Sequence, residues 1–80
     1  MTEAEIRELA RDILSDIAPE TDPKALAGDV DIREELDIDS MDFLNFVIAL
    51  SKRAGIAIPE EDYPNLFTMD GVVRYIAKGR

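Results

Sequence analysis

The sequence predicts an all-α fold, a small four-helix bundle with three main helices and one short helix. Three observations carry that expectation. Apolar residues recur at three- and four-residue spacing in separate stretches, the period that lines them up on one helix face. No stretch makes a convincing strand. Pro19, Pro23, Gly28, Gly55 and Pro59 fall between the periodic stretches, where a helix must stop.

The first helix is expected from about Thr2 to Ile17, with Ile6, Leu9, Ala10, Ile13, Leu14 and Ile17 on its inner face. Thr2 and Glu5 form a capping box that satisfies two backbone donors left free by the first turn. Residues 18–38 then read as a long connection pinned to the core by Ile32 and Leu36. Loops of this length are uncommon in a small domain unless they are functional. The second helix begins at Ser40. Asp39 is its N-cap, and Asp39 and Asp42 both complement the positive end of the helix dipole. Phe43, Val47, Leu50 and Ala54 make an inner stripe, while Met41, Leu44 and Ile48 make a second stripe that is expected to be partly exposed. Lys52 and Arg53 suit the negative end, and Gly55 ends the helix. Beyond a turn at Ile56 to Pro59, the acids Glu60, Glu61 and Asp62 open a short helix that Pro64 should limit to about one turn. Thr68 caps the last helix, with Met69, Val72, Val73, Ile76 and Ala77 facing inward and Lys78 and Arg80 near its end.

Eighty residues leave room for a single domain over 1–80. The chain has no cysteine and no histidine, which excludes disulfides, thiolate metal sites and the usual general base. No metal site is expected. Asp29-x-Asp31 imitates the opening of a calcium loop, but Arg33, Glu34 and Ser40 fall where that loop needs oxygen ligands or a glycine. No apolar run is long enough for a membrane span and no signal peptide is visible, so the expectation is a cytoplasmic protein without membrane insertion. Eighteen acidic residues against nine basic ones give a net charge of −9, which argues against nucleic acid as a partner. The excess lies entirely in residues 1–40. From Asp29 to Asp42 there are seven acids and one base, Arg33; such a run reads either as a solvated loop or as a docking surface for a basic partner.

Ser40 stands at a helix start, after a long connection, with acids on both sides. On position alone it is a cap. As a catalytic nucleophile it lacks a neighbouring base, so no catalytic residue is assigned and the chain is not expected to be an enzyme. The wider pattern changes that reading of Ser40. The run Ile32-Arg33-Glu34-Glu35-Leu36-Asp37-Ile38-Asp39-Ser40-Met41-Asp42, followed by a helix that ends at Gly55 and by Ile56-Ala57-Ile58-Pro59-Glu60-Glu61, resembles the acyl carrier proteins. Asp39-Ser40-Met41 matches the family's central triplet, with the Glu-Glu-Leu and Ile-Pro-Glu-Glu elements at the family's distances on either side.

The resemblance implies that Ser40 receives 4′-phosphopantetheine from coenzyme A in a separate phosphopantetheinyl transferase, which supplies the magnesium and the base. Acyl groups would then ride as thioesters on the arm between enzymes of fatty-acid, polyketide or related specialised synthesis. Asp39 would help present Ser40. Met41, Asp42, Asn45 and Ile48 would form the face read by transferases, acyl-loading enzymes and synthases through basic docking patches. Phe43, Leu50, Ile58 and Leu66 would border an acyl cavity, and the carrier would work as a monomer. Several positions depart from the family's habit. Asp37 replaces a usual glycine, Asn45 a frequent glutamate, and Lys52 and Arg53 occupy an end that is often acidic; Phe43 stands where a small residue is common and would narrow the cavity. A D-alanyl or other aminoacyl carrier is the nearest alternative. A helical interaction module, with Ser40 only a cap, is the alternative of another class.

Overall fold

In a computed structural model that describes residues 1–79, the chain forms four α-helices and two 3-10 segments, with no strand among the described residues. Helix α1 spans Glu3–Ile17, α2 Ile32–Glu35, α3 Ser40–Ala54 and α4 Met69–Lys78; the 3-10 segments are Pro23–Ala25 and Glu60–Leu66. The all-α bundle expected from the sequence is therefore the fold. Arg80, expected beside Lys78, lies outside the described residues.

Each long helix starts where its sequence supplies a cap. Thr2 Oγ1 accepts from the Glu5 N–H at 3.1 Å while Glu5 accepts from the Thr2 N–H at 2.7 Å, which completes the capping box. Asp39 caps α3 and Thr68 caps α4. Gly55 closes α3 in the left-handed region at φ 71°, a conformation open to glycine without steric cost. The periodic residues meet in one hydrophobic cluster. Ile6, Ala10 and Leu14 of α1 pack there with Phe46, Val47 and Leu50 of α3 and Met69, Val72 and Ile76 of α4, so three amphipathic stripes bury one another.

Three expectations need correction. The connection from residue 18 to 38 holds two short helical pieces rather than open loop. One is Pro23–Ala25, started by Asp22 and by Pro23 itself. The other is α2, where Asp31 accepts from the Arg33 N–H and the Ile32 N–H donates to the Phe67 carbonyl at 2.8 Å. Second, the segment after Pro59 runs unbroken from Glu60 to Leu66 through Pro64. A 3-10 helix tolerates the proline because its fixed φ is helical and only one i→i+3 bond is lost. Third, Ala77 is exposed; the inner stripe of α4 closes with Ile76, and the methyl of Ala77 lies off that face.

Gly28 and Gly71 mark close approaches. The Gly28 carbonyl accepts from the Asp70 N–H at 3.0 Å, and Arg7 of α1 donates to Asp70 at 2.9 Å. These bonds fasten the long connection to α1 and to the start of α4. A side chain at Gly28 would strike Asp70, and one at Gly71 would strike the Asn65 carbonyl.

Candidate functional site

The site is built on the start of α3. Leu36 and Ile38 are buried on either side of Asp37, so the backbone has to reverse over a single residue. Asp37 does this at φ 51°. Aspartate reaches the left-handed region more readily than most residues, which is why the turn survives without glycine. The turn delivers Asp39 in an extended conformation, with its carboxylate over the helix end. There Asp39 Oδ1 accepts from the Asp42 N–H at 2.8 Å and the Asp39 carbonyl accepts from the Phe43 N–H.

Ser40 is the first residue of α3 and is exposed. Since Asp39 already caps the helix, Ser40 is released from that task. Its hydroxyl has no hydrogen-bond partner among the described residues, and neither have the N–H groups of Ser40 and Met41. A free hydroxyl next to two free N–H groups at the positive end of a 15-residue helix is an arrangement that holds a phosphodiester well. The residues present therefore fit a phosphate-linked group on this oxygen. Other hydroxyls are engaged elsewhere: Ser51 donates to the Ile56 carbonyl, Thr21 donates to the Ala18 carbonyl, and Thr2 and Thr68 accept as caps. Ser15 is exposed but lies inside α1, where the backbone N–H groups are already bonded.

Past Ser40 the helix shows two characters. Met41 is 63% exposed and Ile48 43%, and Asn45 between them is exposed too. Spacings of four and three put these residues on one outward face. Asp42 is half-buried beside them and Leu44 is half-buried at the margin. Lys52 is exposed, whereas Arg53 pairs with Asp12 of α1 at 2.9 Å. On the inner side, Phe43, Leu50 and Leu66 belong to the packed core, and Ile58 is half-buried against it.

Two residues near this helix start escaped the sequence reading. Arg33 holds Asp31 through Nε at 3.1 Å and Nη2 at 2.8 Å, and its guanidinium lies 3.6 Å from the centre of the Phe67 ring. These charge-assisted bonds keep the Asp31 carboxyl below its ordinary pKa and raise that of Arg33. Phe67 in turn meets Phe43 edge-on, with ring centres 5.3 Å apart. The lone base within an acidic run was the only sequence signal for this arrangement.

Comparison with known proteins adds the family context. Residues 4–76 match the family model described as phosphopantetheine attachment site. The acyl carrier protein of Lactobacillus johnsonii is 34% identical over 76 residues, which is 95% of this chain and 94% of that one. That of Thermosynechococcus vestitus is 30% identical over 76 residues, covering 95% and 93%. Among solved structures, the acyl carrier protein from Enterococcus faecalis shares the fold, with a TM-score of 0.77 over the whole of both chains at 23% identity.

Proposed function

Because the chain belongs to the acyl carrier proteins, a family defined by a covalently attached 4′-phosphopantetheine, we propose that Ser40 is the residue that bears the arm. Such a protein is a carrier and not an enzyme. The observation that supports Ser40 is its exposed, unpartnered hydroxyl beside two free N–H groups at the start of α3. In the transferase, Ser40 Oγ attacks the phosphorus that carries the pantetheine. A new P–O bond forms, the pyrophosphate link of coenzyme A breaks with adenosine bisphosphate leaving, and the serine proton passes to the transferase's base. This accounts for a reacting serine in a chain without histidine. Once attached, the arm's thiol holds the acyl group as a thioester.

The chain's own residues orient and present. Asp39, by capping α3 in place of Ser40, keeps the serine hydroxyl free. Met41, Asp42, Asn45 and Ile48 form the face toward transferase and synthase enzymes. Acids around Ser40 steer encounter with basic patches, and the exposed Met41 and Ile48 supply the apolar contact that holds the pair. On this reading the carrier works as a cytoplasmic monomer in fatty-acid or related synthesis. No helix among the described residues is long and apolar enough to cross a membrane. Tandem mass spectrometry after incubation with coenzyme A and a broad-specificity transferase tests the site. Fragments should put the added group on Ser40, and an addition on Ser15 or Ser51 would refute it.

A further inference from the structure

We propose that the interior beside the arm is closed to long hydrocarbon chains, so that this carrier holds short or polar acyl groups, with Phe43 and Phe67 setting the limit. The inference rests on Ser40 as the attachment point. Cargo on that arm has two places to go, the solvent or the apolar interior behind α3. Phe43 guards the second. It lies one turn beyond Ser40 on the inner face of α3 and is 6% exposed. Its ring packs against Phe67 at 5.3 Å with planes 62° apart and against Phe46 at 6.0 Å with planes 47° apart. Phe67 follows directly on the Glu60–Leu66 segment. The Phe43–Phe67 contact therefore bridges α3 and that segment, and a chain passing between them would have to displace a ring.

Each ring is held by more than one neighbour. The Arg33 guanidinium sits over the Phe67 ring 3.6 Å from its centre, Asp31 fixes Arg33 by two hydrogen bonds, and the Phe67 carbonyl is bound by the Ile32 N–H. Behind the rings, Leu50 and Leu66 are wholly buried and Val47 is 2% exposed, all within one cluster. Interiors of this kind are close-packed, and added methylenes force neighbours off their rotamers. A short acyl group, or one carrying hydroxyl, amino or carboxyl groups, has no need of that interior and stays in water on the arm.

The test loads the protein from butyryl- and dodecanoyl-coenzyme A by means of a broad-specificity transferase, which moves the acyl-phosphopantetheine to Ser40 and releases adenosine bisphosphate, then follows thioester loss in hydroxylamine, melting temperature and the methyl resonances of Leu50 and Leu66. The two acyl forms should lose their cargo at rates within about two-fold, because neither is shielded from water, with the same melting temperature and unmoved methyls. A dodecanoyl form protected several-fold, with shifted Leu50 and Leu66 methyls, would overturn the proposal. Phe43→Leu, which shortens the ring while keeping an apolar core residue, should give the dodecanoyl form several-fold protection that the butyryl form lacks. If folded Phe43→Leu and Phe67→Leu proteins both leave the dodecanoyl form unprotected, the two rings do not set the limit and the proposal falls. Failure of the Ser40 reading is separately visible, since no acyl-phosphopantetheine mass would then appear on Ser40.

Discussion

At the residue scale, neighbouring carboxylates have different tasks. Asp39 caps α3, Asp37 turns the chain, and Asp31 caps α2 while binding Arg33. Asp31 is also more acidic than an ordinary carboxyl. The side-chain bonds from Arg33 hold its pKa below the ordinary carboxylate value, with a smaller contribution from the Arg33 backbone N–H. A carboxyl with a lowered pKa in the folded state adds stability above its unfolded pKa of about 3.9, and that addition vanishes as pH falls through the folded pKa. Asp31→Asn should therefore melt below the parent by a constant margin from neutral pH down to about pH 5, and the margin should shrink in more acid solution. Thermal melts across a pH series check this. A margin that persists unchanged into the most acid samples would mean that Asp31 acts through shape alone.

At the element scale, what was legible in the sequence follows the kind of interaction that fixes each piece. Helices α1, α3 and α4 are long enough to show their period, and their caps lie within three residues of what they cap, so starts at Thr2, Asp39 and Thr68 could be read directly. Helix α2 is four residues with one buried apolar side chain, too short for any period. It exists because Asp31 caps it and because Phe67, distant in sequence, accepts its first N–H. The same distance hid the Arg33–Phe67–Phe43 stack. The proposal of Ser40 as the attachment residue starts from its motif, but that Asp39 leaves its hydroxyl free needed the cap geometry. Gly71 offers a test of this division. By propensity alone, Gly71→Ala in α4 should stabilise by about 1 kcal/mol. Here the new methyl would meet the Asn65 carbonyl, and Thr68 Oγ1 stands 3.0 Å from its position. Overpacking of this kind costs about 1–3 kcal/mol. Urea unfolding should show Gly71→Ala less stable than the parent; a gain would mean that the close approach of the Glu60–Leu66 segment to α4 relaxes freely.

At the scale of the whole molecule, charge is divided by function. The net −9 resides in residues 1–40, and around the helix start Asp29, Glu34, Glu35, Asp37 and Asp39 are all exposed. Their mutual repulsion opposes folding and is screened over about 10 Å at 0.1 M salt. Added salt should raise the melting temperature, and a flat or falling midpoint would contradict this. The same field should draw basic partners, so salt should slow docking while it steadies the fold. Asp42→Asn should associate with the transferase more slowly than the parent at low salt and approach it at high salt in stopped-flow measurements; equal rates throughout would remove the steering role of Asp42. The docking consequence presupposes a carrier that works by presenting Ser40 to other enzymes. The most direct test of that claim is the intact mass of the parent and of Ser40→Ala after incubation with coenzyme A and a broad-specificity transferase, each first checked for the same helical spectrum. Because Asp39 rather than Ser40 caps α3, the variant should stay folded, losing at most the roughly 1 kcal/mol of a cap contact. The parent should gain one phosphopantetheine and Ser40→Ala none, whereas a folded Ser40→Ala protein that gains the same mass would contradict the assignment.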